Sequence, residues 1–305
     1  MTNVIVFGAA GAVASAAAIE AKMRGAKVWL AVRQAELEIL NQNSELDESR
    51  GYARTIADLT QASTITEAIK KSGATAAFLY TVFAAQDGMR STFTALKDAG
   101  VKYVVLLSSY AVKDPPESVE KTKGSAWNHA QAETALREVG LRAAVLRPMY
   151  FCSNLFLVAH GARGGVVDLF RPNTLFDFIV PEDIGAVAGG LLAEREYRGV
   201  VLLNGPELIT IEEALEVIAR AVGREVRIRE IDEEAFKAKM AHLPETDLHS
   251  LIVNHVEYST KKREELFPMH EEAVGNIRKY GVRELTRLKD WAGGKKLVDS
   301  ICANE

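Results

Sequence analysis

The chain has 305 residues, 48% of them hydrophobic and 26% charged, which is the make-up of a globular protein with a sizeable core in one large domain or two unequal ones. A formal net charge of −4 supplies no general field for nucleic acid or an anionic membrane. Cys152 and Cys302 match no metal or disulfide spacing, and no apolar run approaches the ~20 residues that span a bilayer. A cytoplasmic protein with no metal, no direct nucleic-acid contact and no membrane contact is expected.

The N-terminal "VIVFGAAGAVASAAA" has the apolar character of a signal peptide, but no Lys or Arg precedes it, and it reads better as strand, turn and helix. Six short runs rich in Val, Leu and Ala follow the pattern of strands buried on both faces: "NVIVFG", "KVWLAV", "YARTIADL", "ATAAFLYTV", "KYVVLLSS" and "LRAAVLRP". Helical segments are predicted between them at 12–24, 34–41, 62–72, 86–99 and 124–139. Glycines in "RGAK", "KSGAT", "DAGVK" and "EVGLR" suit the left-handed position just past a helix end. Strict β-α alternation predicts an α/β fold with a doubly wound parallel sheet of Rossmann type.

After Tyr150 the pattern is less regular. "FDFIVPEDIGAVAGGLL" reads as a strand and a helix opened by Pro, and "GVVLLNGPELITIEEALEVIARAVGREVRIREI" as strand, helix and strand. Thr210 and Glu213 have the spacing of a capping box. From Asp232 the chain is mostly helical and charged. Residues 1–150 are expected to bind the cofactor. Residues 151–305 are expected to form a smaller substrate or partner lobe, partly interleaved with the sheet.

The first turn, "VFGAAGAVA", places Gly8, Gly11 and Ala14 at G-x-x-G-x-x-A between a strand and a helix. Small residues there allow a sharp turn, close approach of a pyrophosphate and close helix–strand packing, and the helix start favours phosphate. Gly8, Ala10, Gly11, Ala12 and Val13 are therefore candidate cofactor contacts. The second strand ends in Arg33, where an NAD site would carry an acidic residue; a guanidinium suits a 2′-phosphate and hence NADP(H). Asp58 and Leu59 after the third strand are placed to meet adenine. Tyr80, Thr81 and Val82 after the fourth are placed to line the ribose.

Further on, "SSY" (108–110), "HAQAETALREVGLRAAVLRPMYFCSN", "FDFIVPEDIGAVAGGLL" and "LNGPELITIEEALEVIARAVGREV" resemble the NmrA-like group of atypical short-chain dehydrogenase/reductases. The likeness runs from Asn3 to Ile231, and stretches such as "YTVF" and "MRSTFTALKDAG" look most like fungal members. It implies a Rossmann domain with a small α/β C-terminal lobe and NADP(H) along the strand ends. It also implies one of two functional classes. Some members reduce ketones, quinones, imines or phenolic compounds; others bind the cofactor without turnover and report redox state to partner proteins.

The short-chain reductases use Tyr-x-x-x-Lys, and here those positions hold Ser125 and His129, in "SAWNHAQAE". Ser125 cannot replace a phenol acid. His129 can hold a ribose hydroxyl, and its ordinary pKa near ~6.5 would let it move a proton near neutrality. Ser108, Ser109, Tyr110 and His129 are expected near the nicotinamide, with Ser109, Tyr110 and His129 as the catalytic candidates. Pro148 and Tyr150 are further cofactor candidates. Tyr110, Trp127, Tyr150 and Asn154 are expected on the substrate side. Three readings follow: an NADP(H)-dependent reductase of a small apolar carbonyl, quinone or enone; a redox sensor that docks a regulatory protein; and an isomerase or dehydratase with His129 as base.

Overall fold

In the computed structural model, residues 2–33, 51–112, 115–155, 165–197, 199–221 and 223–294 are described. The predicted helix at 34–41 lies outside them. Strands β1 (Asn3–Phe7), β2 (Lys27–Val32), β3 (Ala53–Ile56), β4 (Ala76–Tyr80), β5 (Tyr103–Leu107) and β6 (Arg142–Pro148) correspond to the six predicted runs. Helices α1 (Ala12–Met23), α2 (Ala62–Ser72), α3 (Arg90–Asp98) and α4 (Ser125–Val139) connect them. Val4, Ile5 and Val6 have no exposed surface, as consecutive residues of a strand covered on both faces must. The four glycines predicted to end helices, Gly25, Gly73, Gly100 and Gly140, all have positive φ.

The strands form one parallel sheet in the order β3-β2-β1-β4-β5-β6-β9, where β9 is Gly199–Leu203. This is a Rossmann-type doubly wound sheet whose order reverses between β1 and β4, opening a crevice at the carboxyl ends of those strands. One apolar core lies on the α1 side and includes Val4, Val6, Ala17 and Leu146. The other lies on the side of α2–α4 and includes Ile5, Ile69, Phe93 and Leu136.

Residues beyond 150 contribute to this layer as well as to a smaller α/β lobe. Helix α5 (Pro181–Glu194), with Pro at its start as predicted, packs along α1. A Cβ at Gly185 would lie 2.6 Å from the Val13 carbonyl, and one at Gly189 would lie 2.6 Å from that of Ala17. The two contacts advance together, so the helices run parallel with their N-termini side by side. Only glycine permits this approach. In the lobe, β7 (Val166–Phe170) pairs with β11 (Arg227–Ile231), and β8 (Leu175–Phe176) with β10 (Ile209–Thr210). The helix α6 (Ile211–Ala221) opens with the predicted capping box. Thr210 N–H donates to Glu213 Oε2 at 2.8 Å, and Glu213 N–H to Thr210 Oγ1 at 3.1 Å. Helices α7 (Glu233–Lys239), α8 (Glu245–Thr260), α9 (Arg263–Leu266), α10 (His270–Gly281) and α11 (Leu288–Ala292) complete the described chain.

Two elements depart from expectation. The helix expected from residue 86 begins at Arg90, because Gly88 and Met89 are left-handed at φ 60° and 68° and the Asp87 carboxylate accepts the Ser91 N–H at 2.7 Å. The strand expected across "FDFIV" stops at Phe176. There Asp177 turns inward to accept the N–H groups of Tyr150 (2.9 Å) and Gly205 (2.7 Å), and Phe178 is left-handed at φ 45°.

Candidate cofactor pocket and active site

The first turn has the shape its glycines predict. Gly8 is left-handed at φ 71°, and a Cβ there would lie 2.5 Å from the Tyr80 ring. Gly11 N–H donates to the Gly8 carbonyl at 2.8 Å. Gly11 and Ala12 are exposed, and a Cβ at Gly11 would meet nothing nearer than the Gly8 carbonyl at 3.4 Å. The turn is therefore open on one side, with the start of α1 behind it.

A cavity of about 490 Å³ lies against this turn, within the range of small-molecule and cofactor sites. Gly8, Ala10, Gly11, Ala12 and Val13 line it, and so do Arg33, Leu59 and Tyr80. Eight predicted cofactor residues, drawn from the ends of β1, β2, β3 and β4, thus share one space. Asp58 lies just behind Leu59 and is engaged locally. Its carboxylate is held below the ordinary range first by the Thr60 N–H at 2.8 Å, then by the Thr60 hydroxyl at 2.7 Å, with a smaller contribution from the Arg33 charge.

The opposite wall was not foreseen. It consists of Phe151, Ser153 and Pro181, from the chain after β6 and the start of α5. The predicted contacts Tyr150 and Asn154 each miss this wall by one residue. Tyr150 stacks on Phe176 at 4.1 Å and meets Phe178 edge-on at 5.5 Å, and burial pushes its phenol up to about 12. Asn154 closes the short 3-10 turn Cys152–Asn154, its N–H bonded to the Phe151 carbonyl. The only signal available was that a turn after a strand end exposes alternate residues. Ala31, Val32, Phe78 and Leu107, also on the cavity, belong to the predicted strand runs, and Ala57 opens the stretch "ADL" expected at adenine.

The remaining candidates follow the ends of β4, β5 and β6 or lie on α4, each with its own neighbours. His129 is half-buried in the second turn of α4, its Nδ1 2.9 Å from Thr81 Oγ1 and its ring edge-on to Phe83 at 5.1 Å. The Thr81 hydroxyl also lies 3.3 Å from the Leu107 carbonyl, so the hydrogen of the His129–Thr81 contact comes from Nδ1 when the hydroxyl turns to Leu107 and from the hydroxyl when it turns to the ring. Burial lowers the His129 pKa to about 4, so the ring is neutral at physiological pH rather than half-charged near neutrality. Val82 N–H points at the Met89 sulfur, 3.2 Å away.

Ser109 Oγ accepts the Ala111 N–H at 3.2 Å. Tyr110 is half-buried, its hydroxyl 3.4 Å from the Leu266 carbonyl, and its pKa is raised first by burial and then by Asp177. Pro148 is buried and its carbonyl accepts the Tyr110 N–H at 3.0 Å. Ser108 is buried and donates to Glu133, which also receives Arg147. Trp127 is half-buried beneath Lys121, whose Nζ is 5.5 Å from the ring. Among the described residues no group of three or more His, Cys, Asp or Glu is placed to hold a metal ion, and no helix is long and apolar enough to cross a membrane.

A parallel sheet with this strand order, a glycine turn that opens on a cavity and an irregular C-terminal lobe define a Rossmann-type α/β protein. The model of the NmrA-like family matches residues 1–290, and the chain belongs to that family. It is 32% identical over 318 residues to the nitrogen metabolite regulation-like protein bik4 of Gibberella fujikuroi, covering 95% of each chain. It is 28% identical over 223 residues to a (4-alkanoyl-5-oxo-2,5-dihydrofuran-3-yl)methyl phosphate reductase of Streptomyces griseus, covering 72% of this chain and 75% of that one. The fold is shared with the NADPH-dependent quinone oxidoreductase QOR2 of Escherichia coli in complex with NADPH, at a TM-score of 0.73 and 20% identity over 95% of this chain and 98% of that one. It is shared equally with NmrA, a negative transcriptional regulator, at 0.70 and 16% over 100% and 98%.

Proposed function

We propose that the protein is an NADP(H)-dependent reductase of a quinone, enone or similar small apolar carbonyl compound. The observation that carries the cofactor half is the meeting of the open first turn and Arg33 in one cavity. The turn offers backbone N–H groups and a helix start to a pyrophosphate, and Arg33 offers a charge-assisted bond to a 2′-phosphate. The far wall at Phe151, Ser153 and Pro181 then receives the nicotinamide end. The QOR2 structure is a complex with NADPH, which accords with this reading. On the same reading residues 1–150 bind the cofactor, and residues 151–305 shape the acceptor site while lending α5 and β9 to the sheet.

When bound, reduced nicotinamide supplies a hydride. The acceptor then needs one proton. Ser125 stands where the family's phenol acid would be, and a neutral His129 is not a ready acid. On this reading Ser109 polarises the acceptor oxygen, and Tyr110 does so once its hydroxyl leaves the Leu266 carbonyl. Hydride addition to a quinone or enone leaves a delocalised anion that can take its proton from water. A missing acid therefore costs least with these acceptors, which is why they are favoured over simple ketones.

The second reading is an NADP(H)-binding regulator that docks a protein on its C-terminal lobe. It is favoured by the name of bik4 and by a Tyr110 hydroxyl turned toward the Leu266 carbonyl, away from an acceptor. NADPH oxidation against a panel of quinones, enones and ketones separates the two. Turnover of quinones or enones supports the reductase; tight NADPH binding with no turnover of any acceptor supports the regulator.

A further inference from the structure

We propose that the buried ion pair Glu133–Arg147 is a positioning device for His129, setting the height of α4 over the strand ends and so holding the imidazole against Thr81. This rests on the reading of His129 as a site residue.

The pair is closed to solvent, with Glu133 and Arg147 exposing 6% and 3% of their surface. Arg147 binds in a fork, Nε to Oε1 at 3.0 Å and Nη2 to Oε2 at 2.7 Å. The Ser108 hydroxyl donates to the same Oε1. One carboxylate thus ties α4 to two neighbouring strand ends, that of β5 through Ser108 and that of β6 through Arg147. Glu133 follows His129 by four residues, one turn along the same helix face, so fixing one fixes the other to within a fraction of a turn.

The other ion pairs of α4, Arg137 with Glu117 and Glu138 with Arg90, are exposed and lie at its C-terminal end, away from His129. The buried residues of α4 besides Glu133 are Ala126, Ala130, Ala132, Ala135 and Leu136. A face of alanines is smooth, with few knobs to resist sliding along the sheet. A forked guanidinium–carboxylate pair has a defined direction and length in two bonds. As a source of stability it is a poor choice, since the desolvation of two charges offsets most of their attraction and apolar residues would hold the helix as firmly. What it adds is geometry. The chain at either end of that geometry carries the other candidates, Ser109 and Tyr110 after β5 and Phe151 and Ser153 after β6.

The test uses the full-length protein and the double substitution Glu133→Leu with Arg147→Met, which removes both charges and leaves none buried alone. Nitrogen NMR of the His129 ring, assigned by its loss in His129→Gln, reports tautomer and pKa without cofactor or substrate. The expected result is a folded protein that binds NADPH within about threefold of wild type, whose His129 loses the single tautomer of wild type and titrates closer to an ordinary histidine. Where turnover is measurable, kcat falls by about tenfold or more with the KM for NADPH unchanged. His129 signals unchanged in the double variant overturn the proposal. Should that variant not fold, Arg147→Lys keeps the charge but loses the fork, and unchanged His129 signals there overturn it equally. A wild-type protein inert toward every acceptor would sink the reductase reading and leave this result standing on the NMR.

Discussion

The Nδ1 atom of His129 lies 2.9 Å from Oγ1 of Thr81. This relationship joins α4 to the end of β4 and fixes which ring nitrogen faces outward. The first prediction follows from it and from the burial that lowers the His129 pKa to about 4. The ring should show a single fixed tautomer by nitrogen NMR and stay neutral down to about that pH. The activity profile of the wild type should have no limb near the ordinary histidine value. Because the folded pKa is depressed for a base, this group's contribution to stability is present above the ordinary value and is lost as pH falls from there toward 4. A histidine limb near neutrality in both NMR and kinetics would mean that the ring is not buried against Thr81.

His129→Ala tests the role rather than the state. A neutral ring that orients a ribose or an acceptor should contribute at the low end for such groups, so turnover is expected to fall by about 10²-fold while NADPH affinity changes much less. Equal losses in both would make His129 a cofactor contact. Unchanged turnover would make it a structural residue and leave Tyr110 and Ser109 to be tested.

Gly11 separates binding from folding. A Cβ there meets nothing closer than 3.4 Å, so Gly11→Val should fold with a melting temperature near wild type yet lose NADPH binding, because the side chain fills the place of the pyrophosphate. Gly8 is different: its φ of 71° and the Tyr80 ring make any substitution strained, so Gly8→Val should lose stability as well. Normal NADPH binding by Gly11→Val, measured by titration calorimetry, would remove the phosphate site from this turn.

Asp177 gives a pH signature of opposite sign. Burial raises its pKa to about 7 although it accepts the N–H groups of Tyr150 and Gly205. The folded state therefore holds a proton that the unfolded chain releases at lower pH. The stability it contributes is fully present below the ordinary carboxylate value and is lost as pH rises through about 7. Thermal unfolding of wild type and Asp177→Asn across pH 5 to 8 should show the wild type losing ground to the variant as pH rises. A constant difference would mean that Asp177 is ionised throughout.

How much of this was legible in the sequence follows from what each residue has to do. The six strands and the turn at Gly8 and Gly11 could be read because burial on both faces and a sharp turn each demand particular residue types at fixed spacing. Arg33 could be read because its place follows from counting along β2. Tyr150, expected at cofactor and substrate, and Asn154, expected at substrate, stand one residue from Phe151 and Ser153, which line the cavity, because a turn after a strand keeps no period that settles which residue faces in. The buried Glu133–Arg147 pair was passed over, since a Glu within "HAQAE" and an Arg within "VLRP" look like surface charges until the helix is laid on the sheet. The pull of Asp177 on two backbone N–H groups, which ends β8 early, depends on residues 27 and 28 positions away in sequence.

On the proposed function, the cavity at the first turn holds NADP(H), selected by Arg33. The most direct measurement is the affinity of wild type and Arg33→Ala for NADPH and NADH by titration calorimetry. Wild type should prefer NADPH. A hydrogen bond to a charged group contributes about 1.5–3 kcal/mol, so Arg33→Ala should weaken NADPH by roughly 10- to 100-fold and leave NADH almost unchanged. Equal affinity of wild type for both cofactors, or an equal loss for both in the variant, would contradict the claim.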